Sequence, residues 1–135
     1  MPSLDTNVLV RYLVRDDERQ YQQAVAAVRT AIAAGETVHI TRTVTLETEW
    51  VLRSRYRFDK ATILKTLRAL LESGDVCFEA EEAVEYACYL YEQNGVDFAD
   101  TLHLACCAYE SALPFLTFDT AASHLGGAAR LSILV

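Results

Sequence analysis

Lysine and arginine are missing from the middle of this chain: none occurs between Ala69 and Ala129. Residues 1–68 hold 11 of the 12 Lys/Arg against 8 acids, while residues 69–135 hold only Arg130 against 11 acids. With a net charge of −7, the balance argues against a general nucleic-acid-coating protein, which needs an overall basic surface. A one-sided acidic half suits cations or a basic partner and leaves room for a local basic rim. Proline (2) and glycine (5) are also few, and no Pro/Gly/Ser-rich tract or repeat breaks the 135 residues. One domain over 1–135 is therefore expected, and the 52% apolar content excludes disorder. No run nears the roughly 18 apolar residues of a membrane span. The start, MPSLDTN, has Asp5 where a secretory signal would carry basic residues. A soluble cytoplasmic protein with no membrane partner is expected. The four cysteines lack C-x2-C spacing and sit in apolar stretches such as LHLACCAYE, which reads as small buried side chains in a reducing compartment.

What is present alternates. PSLD reads as a short first strand ending at Asp5, and TNVLVRYLV as a helix with Val8, Tyr12 and Leu13 on one face. A second helix is expected over about Glu18–Ala34, with Gly35 ending it, then a β-branched strand VHIT. Helices over Thr45–Tyr56 and Lys60–Glu72 flank the polar RYRFD, and VCFE follows as a strand. A helix at Glu81–Asn94 and a segment Asp97–Ala112, apolar on almost every side, lead to a buried strand LPFLTF. Asp119 opens a last short helix, and RLSILV is expected as a terminal strand. Such alternation predicts an α/β fold, a three-layer α/β/α sandwich around a mostly parallel sheet. Function then collects where strands run into helices.

Acids occupy those turns. Asp5 and Asp119 end strands, and Asp97 and Asp100 begin a helix. Each is also a favoured helix cap, stabilised by the positive end of the helix dipole. Glu47, in VTLETEWVL, falls between Val44 and Val51 on the inward stripe, with Glu49 rotated about 200° away. A buried carboxylate needs a partner, and with Lys and Arg scarce in the acidic half a metal ion is a credible one. The alternative is a rotated helix with Trp50 and Leu46 inward. Asp97 and Asp100 stand at i and i+3, about 60° apart, so both can address one pocket. His103, next along that edge, reads as a packing or hydrogen-bonding residue. Carboxylates without a matching His/Cys set specify a hard cation, Mg²⁺ or Mn²⁺. Acids around such ions are the usual apparatus for hydrolysing phosphodiesters.

Four motifs in order, LDTNVLVRYLVRDD, TLETEWVLRSRY, GVDFADTLHLA and FLTFDTAA, resemble the PIN-domain ribonucleases, most closely the VapC-type toxins of toxin–antitoxin pairs. The resemblance covers nearly the whole chain. It places the family's acidic quartet on Asp5, Glu47, Asp100 and Asp119, with Asp97 as an auxiliary able to exchange roles with Asp100. Asn7 and Thr117 match the small polar residues that orient the acids. The resemblance implies a Mg²⁺- or Mn²⁺-dependent endoribonuclease leaving a 5′-phosphate and a 3′-hydroxyl, a homodimer, and neutralisation by a cognate antitoxin. Asp5, Asp100 and Asp119 would hold the ion, with Glu47 and Asp97 completing its surroundings.

Contact with single-stranded or looped RNA is expected from Arg11 and Arg15, one turn apart on the first helix, and from Arg53, Arg55 and Tyr56 in RSRYRF. Guanidinium groups bind phosphates and aromatics stack on unpaired bases. The alternative pairs these arginines with Asp16, Asp17 and Asp59. Val8, Tyr12, Leu13, Val25 and Val28 offer an antitoxin groove or, alternatively, core packing. A phospho-acceptor receiver domain lacks its Lys near the last strands, since the only lysines are Lys60 and Lys65, and a haloacid-dehalogenase-like phosphatase lacks D-x-D. A housekeeping PIN nuclease and a non-catalytic PIN interaction module are the remaining alternatives.

Overall fold

Helix starts organise the computed structural model, which describes residues 1–132. The order is α1 (Thr6–Leu13), α2 (Glu18–Ala33), β1 (Val38–Ile40), α3 (Arg42–Ser54), α4 (Lys60–Glu72), β2 (Val76–Phe78), α5 (Glu81–Gln93), α6 (Phe98–Tyr109), β3 (Phe115–Thr117), α7 (Thr120–Ser123) and β4 (Ala128–Arg130). Five of these helices begin at a side chain that accepts a backbone N–H: Asp5, Asp17, Thr41, Asp59 and Asp119. Each such cap contributes about 1 kcal/mol. The third helix starts at Arg42 rather than at Thr45 because Thr41 caps it.

The chain divides into two compact units, Met1–Glu79 and a second beginning at Ala80. In the first, β1 and β2 pair in parallel with Val38 opposite Val76 and Ile40 opposite Phe78. Alternation along both strands buries these four side chains. The PSLD segment is not a strand; it makes a single bridge, Ser3 to His39, through His39 N–H to the Pro2 carbonyl and Leu4 N–H to the His39 carbonyl. Pro2 has no N–H with which to extend the pairing. Leu9 and Val10 of α1, Val28 of α2, Leu52 of α3 and Ile63 and Leu67 of α4 are among the other buried apolar side chains of the unit.

In the second unit β3 and β4 pair in parallel, Phe115 opposite Ala128. Leu90, Leu104 and Leu125 form a buried cluster on which Val96, Phe115 and Ala128 pack, and Tyr91 meets Phe98 edge-on at 5.4 Å. Two expectations fail here. LPFLTF is not a buried strand: Phe115 reaches the cluster, but alternation turns Leu116 away, 56% exposed, and Phe118 is 60% exposed. Nor is the Asp97–Ala112 segment buried all round. Its helix buries Phe98, Thr101, Leu102, Leu104 and Ala105, while His103 and Tyr109 face solvent. Of the cysteines only Cys88 is buried; the other three are half-buried, and none of the four is joined in a disulfide. The terminal strand is β4 at Ala128–Arg130, and 133–135 of RLSILV lie outside the described residues. The expected class, α/β with parallel strand pairing, is the one observed.

Candidate functional site

In the first unit the LDTN motif places Asp5 at the head of α1. Its Oδ1 accepts from Val8 N–H at 2.9 Å, which leaves the second carboxylate oxygen outside the cap. Beside it, the Thr6 hydroxyl donates to Glu47 Oε1 at 3.2 Å. Two motifs separated by some 40 residues of sequence are thereby joined by a side-chain bond. Thr6 was not singled out from the sequence, although it stands between Asp5 and Asn7 in DTN. Asn7 is exposed and, with Asp5, Val8, Arg11, Gln20, Gln23, Ala24 and Ala27, lines a cleft of about 290 Å³ between α1 and α2.

Glu47 is exposed, which corrects its expected burial. The inward face of α3 is Val44, Thr45, Thr48, Glu49 and Leu52. Neither the Val44–Glu47–Val51 stripe nor the Trp50/Leu46 alternative describes it; Trp50 is 53% exposed. Glu49 is the buried acid, 2% exposed, and Arg53 Nε one turn on donates to it at 2.9 Å. Two threonines on that face escaped an apolar-stripe reading because they bury like small hydrophobes.

Three of the four arginines expected to meet RNA, Arg11, Arg15 and Arg53, are engaged with acids. Arg11 Nη1 donates to Asp16 at 2.9 Å and to the Tyr56 hydroxyl at 2.9 Å, and its Nε donates to Gln20 Oε1 at 2.6 Å. Tyr56 in turn donates to Asp16 at 2.7 Å. That hydroxyl, with help from Arg11, holds the Asp16 carboxyl below its ordinary range. Arg15 does not share α1 with Arg11. The helix ends at Leu13 because Val14 is extended ahead of the Asp17 cap, and Arg15 pairs with Glu18 at 2.6 Å and lies 4.5 Å over the Tyr21 ring. The pairing pushes Glu18 down to about 2, chiefly through the Arg15 hydrogen bonds. Arg53 belongs to the Glu49 pair, whereas Arg55, at the C-cap of α3, is exposed. A second cleft, of about 550 Å³, is lined by Tyr12, Leu13, Tyr21, Val25, Val28, Arg29, Ile32 and Asp75. Four of the five apolar groove residues expected from the sequence line it, and Val8 lines the cleft at Asp5 instead.

In the second unit Asp119 caps α7 through Oδ1 to Ala122 N–H at 3.1 Å, and its own N–H donates to the Thr117 hydroxyl at 3.0 Å. Thr117 thus fixes the backbone that carries the acid. Asp97 precedes α6 without a side-chain cap bond, so capping does not explain it. Asp100 lies half-buried in the first turn of α6. Burial raises its carboxyl above the ordinary range, and the charges of Asp119 and Asp97 raise it further, against a smaller opposing effect of His103. His103 is exposed, its ring 6.3 Å from Phe115. Among the described residues no three His, Cys, Asp or Glu side chains are gathered into a ready-made metal cage. The donor chemistry nonetheless fits a hard cation: every candidate ligand is a carboxylate, and the mutual repulsion felt at Asp100 is what a divalent ion relieves.

The PIN domain family matches residues 3–128, and the chain belongs to that family. A comparison with curated proteins gives no match. PIN domains are α/β folds and generally nucleases, so the chain is placed among enzymes that bind and cut nucleic acid and that generally use divalent metals. No helix among the described residues is long and apolar enough to cross a membrane.

Proposed function

We propose that this protein is a Mg²⁺- or Mn²⁺-dependent endoribonuclease and the toxin of a type II toxin–antitoxin pair of the VapC kind. One observation carries the reading furthest: the Thr6 to Glu47 hydrogen bond, which ties the acid of TLETEW to the residue beside Asp5. We take the two units as one PIN domain, since a single family match runs through both. Asp5, Asp100 and Asp119 are assigned to hold the ion, with Glu47 and Asp97 completing its surroundings. When bound, the ion lowers the pKa of a water and neutralises charge on the leaving oxygen.

The chain's own residues do the positioning. Asp5 and Asp119 are held by their cap bonds, which fix one oxygen of each and leave the other for the ion. Thr6 orients Glu47, and Thr117 sets the backbone at Asp119. Arg55, exposed at the end of α3, is the first choice for an RNA phosphate. Arg11, Tyr56, Arg15 and Arg53 act first on the fold and reach RNA only by exchanging an acid for a phosphate.

The cleft lined by Tyr12, Leu13, Val25 and Val28 suits an apolar antitoxin segment, and the acids of the second unit suit a basic one. A homodimer and a cytoplasmic setting complete the proposal, both inherited from the resemblance. The test is cleavage of an end-labelled structured RNA with Mg²⁺ or Mn²⁺, paired with EDTA and with Asp5→Asn. Metal-dependent cutting lost in both controls supports the assignment. Cutting retained by Asp5→Asn at equal metal sinks it.

A further inference from the structure

The cleft at the head of α1 is larger than metal binding requires, and its walls are not acidic throughout. Beyond Asp5 it is walled by the amides of Asn7, Gln20 and Gln23 and floored by Val8, Ala24 and Ala27. Its volume of about 290 Å³ sits at the bottom of the range of roughly 300–1,000 Å³ that holds drug-sized ligands. That is room enough for a flat heterocycle.

The charges along the cleft decide what enters. Arg11 is the only cation among the described residues that line it, and both oxygens of Asp16 accept from Arg11 Nη1, at 2.9 and 3.0 Å. With Arg11 neutralised and Asp5 alongside, the cleft carries no positive charge to draw in a free phosphate. An uncharged group with hydrogen-bonding edges and an apolar face is what it suits.

Arg11 also sets the chemistry of Gln20. A guanidinium only donates, so the 2.6 Å bond from Arg11 Nε obliges the Gln20 carbonyl oxygen to face Arg11. The Nε2 amide, with two N–H donors, is left for the cleft. Gln20 is pinned from the main chain as well, its backbone N–H donating to Asp17 Oδ1 at 3.0 Å. A donor fixed in this way reads an acceptor on its ligand, while Asn7 and Gln23, both exposed, present amides able to donate and accept.

We propose that this cleft receives one unpaired nucleobase of the RNA, next to the phosphate that Asp5 addresses, and that Gln20 and Gln23 read its edge while Ala24 and Ala27 pack on its face. The inference rests on the nuclease reading for the identity of the ligand. It makes the cleft a specificity pocket: the enzyme would prefer one base at one position beside the cut.

The experiment uses short RNAs carrying a single abasic ribose at successive positions. Their binding to the full chain is read by fluorescence anisotropy in EDTA, and their cleavage separately in Mg²⁺ or Mn²⁺. The expected result is one position where loss of the base weakens binding about tenfold, as one base contact is worth. In Gln20→Glu, which keeps the acceptor for Arg11 but removes the donors, and in Gln23→Ala, that penalty should fall below about threefold. Thermal melts confirm that the variants fold, and added charge in Gln20→Glu would lower affinity at all positions alike rather than erase one. A flat abasic profile, or a penalty that survives in both variants, overturns the pocket. If binding shows the penalty but no RNA is cut, the pocket stands and the nuclease reading falls. If RNA is cut with a flat profile, the reverse holds.

Discussion

Met1–Glu79 carries 11 Lys/Arg against 11 Asp/Glu, whereas the unit that begins at Ala80 sets Arg130 against eight acids, so the whole net charge of −7 belongs to the second. In the first unit the charges are met locally: Arg11 by Asp16, Arg15 by Glu18, Arg42 by Glu79 and Arg53 by Glu49. In the second, Asp100 is half-buried within the fields of Asp119 and Asp97. The difference separates acids already met by an arginine from an acid cluster that no arginine of its own unit is shown to meet. Asp16, Glu18 and Glu79 lose their protons more readily than usual, whereas Asp100 holds its proton more tightly.

The sharpest way to break the contrast is to remove an acid from the proposed metal set. Asp5→Asn should lower RNA cleavage by roughly a thousandfold with little change in melting temperature, because Asn caps a helix as well as Asp does. Steady-state cleavage and a thermal melt on the same sample check both halves. The next effect is on stability. Arg53→Ala leaves Glu49 buried without this partner and should cost about 3 kcal/mol in urea unfolding, while Glu49→Gln should cost less because Arg53, 47% exposed, can turn to water.

Asp100→Asn tests the second unit directly. Its carboxyl sits above the ordinary value of 3.8, so the ionised form is disfavoured on folding, and the penalty is present above the raised value and absent below the ordinary one. The variant should melt higher than the parent at pH 7 and equal to it below the ordinary value. Added Mn²⁺ should raise the melting temperature of the parent more than that of the variant.

The smallest effect belongs to Glu18, exposed and held at about 2 against an ordinary 4.5. A lowered value contributes stability that is complete above the ordinary value and lost as pH falls through the lowered one. Glu18→Gln should therefore melt slightly below the parent at pH 7, with the gap closing by about pH 2 and shrinking in high salt.

Much of the architecture was legible because it is written in local chemistry. Helices were expected from about Glu18 and over Lys60–Glu72, where α2 starts and α4 lies with its limits unchanged, and the strands read in VHIT and VCFE fall on β1 and β2. Asp5, Asp97, Asp100 and Asp119 could be singled out because each lies at or near the start of a helix, whereas Glu47 lies in the middle of α3. Orientation was not legible. Whether Glu47 or Glu49 turns inward depends on how α3 rolls on its neighbours, and Thr45 and Thr48, polar by composition, take core positions. Partnership was legible in part: Asp16 was named among the acids the arginines could pair with, and Arg11 takes it, but the Tyr56 hydroxyl between them was not foreseen. Arg11, Asp16 and Tyr56 meet only when α1 and the end of α3 come together, and no spacing in the sequence records that.

The two caps at Asp5 and Asp119 have a genetic consequence. The same carboxylate that starts a helix is the one proposed to serve the chemistry, so most codon changes at either position strike folding and activity together. Asn is the exception, reached from Asp by one nucleotide change and still able to accept the Val8 or Ala122 N–H. If the protein is toxic, lineages that silence it by point mutation while keeping it folded should be found carrying Asn at these two positions more often than any other residue, and sequencing survivors of forced expression would count them.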